Sequence, residues 1–184
     1  MDLPKRKHPR LKEYDYSTSG CYFITFCTKN RKCSLGTVGR HDPMPPKDSE
    51  QEKSDTASKG ILLTSYGKAT EKYVRQIPEH YDNVRLDNYI VMPNHVHLLL
   101  TITEPDGGVG NPALRGKTGA SVPMIVRGVK SAVTKEIGQS LWQSSFFEHV
   151  IRNEQDDQAA WNYIERNAPK WRESQEIGRA SCRE

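Results

Sequence analysis

An apolar run that contains two histidines, residues 89–100, constrains the fold of this chain more than any other segment. The run reads Tyr-Ile-Val-Met-Pro-Asn-His-Val-His-Leu-Leu-Leu, and it has the length and apolar character of a buried strand. Residues two apart on a strand point to the same face. His95 and His97 are therefore predicted to project side by side from one face of a sheet.

Two buried imidazoles in such a strand need polar partners. A buried polar group without a partner costs roughly 1–3 kcal/mol. A divalent metal offsets that cost, because neutral imidazole is the commonest metal ligand in proteins. The alternative is a structural pair, in which one histidine caps a strand end and the other is hydrogen-bonded in the core. The spacing alone leaves both interpretations of His95 and His97 open.

Other segments accompany the histidine pair in a fixed order along the chain. They are residues 9–16, 22–31, 130–134, 141–154 and 163–171. Together with Met-Pro-Asn-His-Val-His-Leu-Leu at 92–99, this series resembles the single-tyrosine HUH transposases (His, bulky apolar residue, His). The likeness is greatest to the branch of REP-associated tyrosine transposases. It covers most of residues 9–171.

The predicted order of elements, β-α-β-β-α-β-α, fits an α+β fold with helices packed on an antiparallel sheet. The predicted strands are 20–28, 84–92, 95–103 and 146–151, and the predicted helices are 64–81 (interrupted near Pro78), 122–137 and 154–167. Pro93-Asn94 forms either a bulge or a tight connection. The resemblance implies a ferredoxin-like sheet with the HUH motif on a central strand.

The resemblance also implies a catalytic site. Tyr163 is the only tyrosine after the histidine pair, and the family places its nucleophile there, on the last helix. Asn167 lies four residues later, on the same helix face, and would join His95 and His97 as the third metal ligand. Mg²⁺ or Mn²⁺ suits such nitrogen and oxygen ligands better than zinc. Taken alone, Tyr163 would be an ordinary core aromatic.

The chain departs from the family pattern at two points. Phe147 stands where many relatives carry a tyrosine, so that position cannot supply a nucleophile here. The usual Asn-Pro after the catalytic helix is Asn167-Ala168-Pro169 in this sequence, which moves the proline one residue further from Asn167.

The predicted function is that of a metal-dependent transposase or endonuclease that acts on single-stranded or hairpin DNA. Attack by Tyr163 would leave a 5′-phosphotyrosine and a free 3′-hydroxyl, so strand joining needs no ATP and no Walker motif, and none is present. One alternative is a non-catalytic nucleic-acid-binding α+β module, in which Tyr22, Phe23 and Phe26 stack bases. Another is a domesticated, transposase-derived regulator.

Positive charge is concentrated in a few places, although 27 Lys and Arg against 23 Asp and Glu leave a net charge of only +4. Such clusters suit a phosphate backbone. The candidate DNA-binding residues are Lys5, Arg6, Lys7, Arg10, Lys12, Lys29, Arg31, Arg127 and Lys130. The alternative for the N-terminal cluster is a solvated basic arm.

No run of 18 or more apolar residues and no signal-like segment is present, which predicts a cytoplasmic protein without a membrane partner. The four cysteines include no Cys-x-x-Cys pair, so free thiols are predicted rather than a zinc site. The resemblance leaves a homodimer open.

Residues 1–175 are predicted to form one domain. Two polar stretches, about 39–60 and 104–121, are expected to be mobile loops. The last nine residues, 176–184, resemble the translation of a short-read sequencing adapter, and we interpret them as an artefact of sequence assembly.

Truncation after Gln175 is therefore expected to change neither folding nor activity, because adapter-derived residues have not been selected to pack. Thermal melting and DNA cleavage of the full and shortened chains test this expectation. A loss of several degrees in melting temperature on removal of residues 176–184 would contradict the artefact interpretation.

Overall fold

Six strands are present in the residues that this computed structural model describes, which are 18–38, 60–104 and 120–180. They are β1 (Gly20–Cys27), β2 (Gly36–Val38), β3 (Ile61–Leu63), β4 (Val84–Met92), β5 (His95–Ile102) and β6 (Phe147–Ile151). The short strands β2 and β3 pair with each other, and the other four form an antiparallel sheet in the order β4-β5-β1-β6. This is the ferredoxin-like order, with the HUH strand β5 in the middle. The predicted α+β fold is confirmed.

Local sequence signals explain where most of the helices begin and end. The helices are α1 (Ser65–Arg75), α2 (Ile77–His80), α3 (Val122–Ile137) and α4 (Glu154–Ala180). The Thr64 hydroxyl caps α1 by accepting a hydrogen bond from the Gly67 N–H at 3.2 Å. Pro78 lies in the first turn of α2, where a missing N–H is tolerated. Gly138 ends α3 in the left-handed conformation, with φ of 70°.

The last helix is longer than the sequence predicts. Instead of ending near Asn167, α4 continues through Pro169 to Ala180. A proline inside a helix removes one backbone hydrogen bond and strains the preceding turn. Here the apolar contacts of Ala168, which is fully buried, and of Trp171 with the sheet offset that loss. The proline therefore does not act as the stop signal that we expected.

Alternation along the strands gives the sheet two different faces. Tyr22, Ile24 and Phe26 of β1 are fully buried in the main core, which also includes the apolar residues of α3. The opposite face carries Phe23 and Thr25, and α4 covers part of it through a smaller core. Tyr22 and Phe26 are therefore inaccessible, and of the three aromatic residues expected to stack bases in the non-catalytic module only Phe23 lies on the partly open face.

The hairpin between β4 and β5 is a tight connection rather than a bulge. Met92 pairs with His95, so Pro93 and Asn94 form a two-residue turn. The bulge in this hairpin lies elsewhere in β4, between Leu86 and Asn88. His95 is therefore the first residue of β5, at the edge where β1 ends.

Two further predictions can be compared with the described part of the chain. Its three cysteines, Cys21, Cys27 and Cys33, are free thiols. Among the described helices, none combines the length and the apolar character needed to cross a bilayer. The predicted mobile loops lie outside the described residues, apart from their end residues 60, 104, 120 and 121.

Candidate active site

His95 and His97 lie on the same face of β5, with their ring centroids 4.6 Å apart. His95 Nδ1 is 2.6 Å from the Asn94 Oδ1 atom, to which it donates a hydrogen bond. His97 Nδ1 is hydrogen-bonded with Thr25 Oγ1 at 2.7 Å. Thr25 pairs directly with His97 across β1 and β5. Protein partners thus hold both Nδ1 atoms and fix the two ring orientations.

Both imidazoles are neutral at pH 7. Burial lowers the pKa of His97 to about 3, and the neighbouring His95 adds to the effect. The pKa of His95 is lowered to about 4, mainly by burial and to a smaller extent by the positive charge of Arg31. A hydrogen bond with Asn167 raises this pKa in part. The neutral ring is the form that binds a metal ion.

Asn167 reaches the histidine pair from α4. Its side chain is buried, with 9% exposed, and it is hydrogen-bonded to His95. Trp171, one turn further along, places its ring centroid 5.9 Å from that of His95. The three predicted ligands, His95, His97 and Asn167, therefore meet at one place.

The chemistry of these side chains fits a divalent metal. Among the described residues, His97 Nε2 is buried with no hydrogen-bond partner, which is costly for an isolated imidazole. In the neutral His95 ring, Nε2 carries the lone pair because Nδ1 donates to Asn94. Within the described ranges, no cluster of three or more His, Cys, Asp or Glu could hold a metal. The amide oxygen of the neighbouring Asn167 would add a third protein ligand to the two imidazole nitrogens, and Mg²⁺ or Mn²⁺ accepts such a mixed set.

Tyr163 lies on α4 one turn before Asn167, and 47% of it is exposed. Its ring centroid is 5.2 Å from that of His97 and 5.7 Å from that of Phe23, which itself stacks on His97. These aromatic contacts hold the phenol beside the histidine pair. The structure thus brings together the predicted nucleophile and all three predicted ligands.

Tyr163 and the two histidines line a cavity of about 600 Å³. Its lining residues come from β1, β5, β6, α4 and the segments that follow β1 and precede β6: Phe23, Thr25, Cys27, Arg31, His95, His97, Gln143, Ser145, Phe146, Phe147 and Tyr163. A cavity of this size, open on one side and lined by aromatic, polar and cationic side chains, can admit a nucleotide.

The predicted DNA-binding cations lie at different distances from this cavity. Arg31 lines it, and Lys29 is exposed two residues earlier in the same 3₁₀ turn, Lys29–Arg31. Arg127 is exposed on α3, the helix that packs on the opposite face of the sheet. Five others lie outside the described residues: Lys5, Arg6, Lys7, Arg10 and Lys12.

Lys130 differs from the other cations because the protein itself uses its ammonium group. The Nζ atom donates to the backbone oxygens of Gln143 at 2.9 Å and Ser145 at 3.1 Å. It also lies 5.6 Å from the centre of the Phe26 ring, and burial lowers its pKa to about 8. Lys130 therefore ties α3 to the segment that forms one wall of the cavity.

Sequence reasoning did not identify Thr25 and Asn94 as parts of the site. Thr25 could be found only from the register of β1 against β5, which no local pattern reveals. Asn94 is adjacent to His95, and its polar side chain in a turn was the signal available. Phe147, where the sequence departs from the pattern described above, lines the cavity with 51% of its surface exposed.

The burial of the two histidines predicts a pH dependence of stability without added metal. In the unfolded chain both would bind protons below about pH 6.5, whereas the folded protein takes them up only near pH 4 and 3. The free energy of unfolding should thus be highest above pH 6.5. It should fall by up to about 1.4 kcal/mol per pH unit for each histidine as the pH drops towards 4.

Urea denaturation in EDTA between pH 7.5 and 5.5 measures this effect. The control is the double variant His95→Asn and His97→Gln, which cannot titrate in this range and should show a shallower slope. Equal slopes for the two proteins would show that the histidines are not buried as described.

Two sequence comparisons match this chain to known proteins. Residues 57–167, more than half of the chain, match the family model described as "Transposase IS200 like". An uncharacterized protein of Haemophilus influenzae is 28% identical over 183 residues, covering 92% of each chain.

Two solved structures are also similar to the protein. A REP-associated tyrosine transposase bound to a REP hairpin has a TM-score of 0.49 and 19% identity, covering 87% of this chain and 74% of that one. A proposed transposase from Deinococcus radiodurans has a TM-score of 0.44 and 18% identity, covering 85% of this chain and 95% of that one. Because the family model matches more than half of the chain, the chain belongs to the IS200-like transposase family.

Proposed function

We propose that the protein cleaves and rejoins single-stranded DNA at a hairpin, with Tyr163 as the nucleophile. The observation that supports this most is the position of Tyr163, half exposed in a cavity with its ring 5.2 Å from that of His97. Membership of the transposase family supports DNA as the substrate. A hairpin is proposed as the substrate because the sequence resembles the REP-associated transposases.

In the proposed reaction the phenolic oxygen of Tyr163 attacks a backbone phosphorus. The new bond is a 5′-phosphotyrosine, and the bond that breaks joins the phosphorus to the 3′ oxygen. Solvent takes the phenolic proton and supplies one to the leaving 3′-hydroxyl. The number of phosphodiester-type bonds is conserved, so the reverse attack by a 3′-hydroxyl rejoins a strand without an added energy source.

The residues around Tyr163 would bind and orient the scissile phosphate. His95, His97 and Asn167 would hold Mg²⁺ or Mn²⁺, which supplies Lewis-acid polarisation of a phosphate oxygen. Thr25 keeps the His97 ring in place, and the edge contact of Phe23 limits the movement of the phenol. Arg31 adds a positive charge to the cavity, where a phosphate oxygen can accept hydrogen bonds from its guanidinium.

DNA outside the cavity would be bound by the other predicted cations. Lys29, Arg127 and the N-terminal cluster are proposed to contact phosphates, which would make the affinity fall steeply with salt. Lys130 could contribute only its remaining N–H donor, since two backbone carbonyls already accept hydrogen bonds from it. We therefore propose Lys130 chiefly as a support for the cavity wall.

The two alternatives predict different behaviour. A non-catalytic module would bind DNA without forming a covalent link, and the burial of Tyr22 and Phe26 counts against the stacking surface it would need. A transposase-derived regulator would keep hairpin binding but have lost cleavage. A homodimer is compatible with either function.

Replacing Tyr163 with Phe should abolish cleavage and covalent attachment together, because it removes only the hydroxyl. Stability should change by no more than about 1 kcal/mol, the usual contribution of one hydrogen bond. Incubation with a single-stranded hairpin oligonucleotide and Mn²⁺, followed by denaturing electrophoresis, detects the adduct. Peptide mass spectrometry after nuclease digestion identifies the residue that carries the nucleotide.

Matched variants make this test specific. Tyr81→Phe removes a hydroxyl from the opposite face of the sheet and should leave adduct formation unchanged. His95→Ala and His97→Ala should each bind the oligonucleotide but not cleave it, and Asn167→Ala should slow cleavage and weaken the response to Mn²⁺. An adduct on any residue other than Tyr163 would refute the assignment. No adduct with the unmodified protein would favour a binding function.

A further inference from the structure

Asn94 connects two parts of the candidate site through its two side-chain atoms. Its Oδ1 atom accepts a hydrogen bond from His95 Nδ1 at 2.6 Å, and its Nδ2 atom donates to the backbone oxygen of Arg31 at 3.1 Å. The backbone oxygen of Asn94 accepts hydrogen bonds from the Thr28 N–H at 3.0 Å and from the Thr28 hydroxyl at 3.1 Å. Asn94 is therefore held between the HUH strand and the turn after β1.

The turn that carries Arg31 has an unfavourable backbone conformation. Asn30 and Arg31 have φ values of 54° and 51°, and two successive non-glycine residues in the left-handed region are costly. Such a conformation persists only where surrounding contacts restrain it. The bond from Asn94 Nδ2 to the Arg31 oxygen is one such restraint, and the Arg31 side chain of the restrained turn lines the cavity.

We propose that Asn94 is a positioning residue that sets the His95 ring and the Arg31 turn as one unit. The same amide fixes the nitrogen that His95 would offer to a metal and the place of the guanidinium that would meet the phosphate. This inference depends on the proposed function for the ligands of the site. The two hydrogen bonds of Asn94 do not depend on it.

Two substitutions separate the two contacts. Asn94→Asp keeps an oxygen that can accept from His95 but loses the N–H that binds the Arg31 oxygen. Asn94→Ala loses both contacts. Titration calorimetry with Mn²⁺ measures the effect of the contact between Asn94 and His95. The effect of the contact between Asn94 and the Arg31 oxygen is measured as the affinity for a fluorescent single-stranded hairpin oligonucleotide in EDTA, where no cleavage occurs.

With Asn94→Asp, Mn²⁺ affinity should stay within about threefold and oligonucleotide affinity should fall to that of Arg31→Ala. Asn94→Ala should also weaken Mn²⁺ binding by roughly 10- to 100-fold. The added charge of aspartate is controlled by the double variant, Asn94→Asp with Arg31→Ala, which should bind DNA no more weakly than Arg31→Ala alone. The proposal would be overturned if the losses of oligonucleotide affinity caused by Asn94→Asp and Arg31→Ala added fully in the double variant. Unchanged Mn²⁺ affinity with Asn94→Ala would also overturn it.

These are equilibrium measurements on the full chain, so they remain informative if the unmodified protein forms no covalent adduct. Melting temperatures of all variants show whether each is folded. In the Asn94→Ala variant, Mn²⁺ weakening without a change of fold is the result that a purely structural turn residue would not give.

An independent feature of the cavity is the exposed ring of Phe147. It lies on the edge strand β6, lines the cavity and is 51% exposed. Thr25 pairs with His97 on one side and with Phe147 on the other, so the three residues form a row across the sheet. Two strand spacings, about 10 Å, separate the backbones of His97 and Phe147.

From this row we infer that Phe147 stacks an unpaired base beside the scissile phosphate. Aromatic side chains in single-strand binding sites act in this way for any base, because every base has a π-face. A phosphate at the histidines would leave its neighbouring base above Thr25 and within reach of the ring. The inference deepens the proposed function by assigning this wall of the cavity to a nucleobase.

Stacking is tested by combining substitutions of Phe147 with removal of the base from the oligonucleotide. All proteins carry His97→Ala, which prevents cleavage, and the binding affinity is measured. The oligonucleotide carries either a base or an abasic site next to the scissile position. Phe147→Ala should weaken binding of the intact strand by about tenfold or more and of the abasic strand hardly at all, while Phe147→Trp should bind normally. Trp161→Ala, a 41% exposed aromatic outside the cavity lining, is the control. Equal losses for both strands, or no loss, would refute the inference.

Discussion

The pairing of β5 with β1 is the constraint on which the rest of the site depends. It places His97 opposite Thr25 and His95 opposite Cys27. Side chains alternate between the faces of a sheet, so a slip of one residue would bury Leu98 and Val96 under α4 and turn both imidazoles into the main core. Val96, Leu98 and Leu100 are fully buried in the main core beside Tyr22, Ile24 and Phe26, and they oppose that slip because it would remove them from this core.

Much of the fold could be predicted from the sequence because its signals are local. Apolar runs rich in β-branched and aromatic residues predict the strands of the four-stranded sheet. Thr64 and Gly138 mark helix ends by residue type alone, without tertiary information. Pro169 misled the prediction of α4, since the contacts that offset its lost hydrogen bond come from the sheet. The site divides in the same way. The position of His95 and His97 on the same face of the strand could be inferred from their spacing. The place of Thr25 beside His97 depends on the register of β1 against β5, which only the folded sheet defines.

The two faces of the sheet have different physical roles. One is packed with apolar side chains and gives the protein its stability. The other is only partly covered, and on it the buried His97 Nε2 has no hydrogen-bond partner among the described residues. The apolar face provides the stability that offsets the cost of this polar site. Lys130 adds to it, because the hydrogen bonds of its ammonium group hold the segment before β6 against α3.

The arrangement of side chains on α4 has a consequence for how the protein can change. Tyr163, Asn167 and Trp171 are spaced four residues apart, so they form a single ridge that meets the histidines. Insertion of one residue between Tyr163 and Asn167 would rotate them apart by about 100°. Insertions before Glu154 would instead leave the positions of Tyr163, Asn167 and Trp171 relative to one another unchanged. Length variation is therefore tolerable in the connection that enters α4 and intolerable within the helix itself.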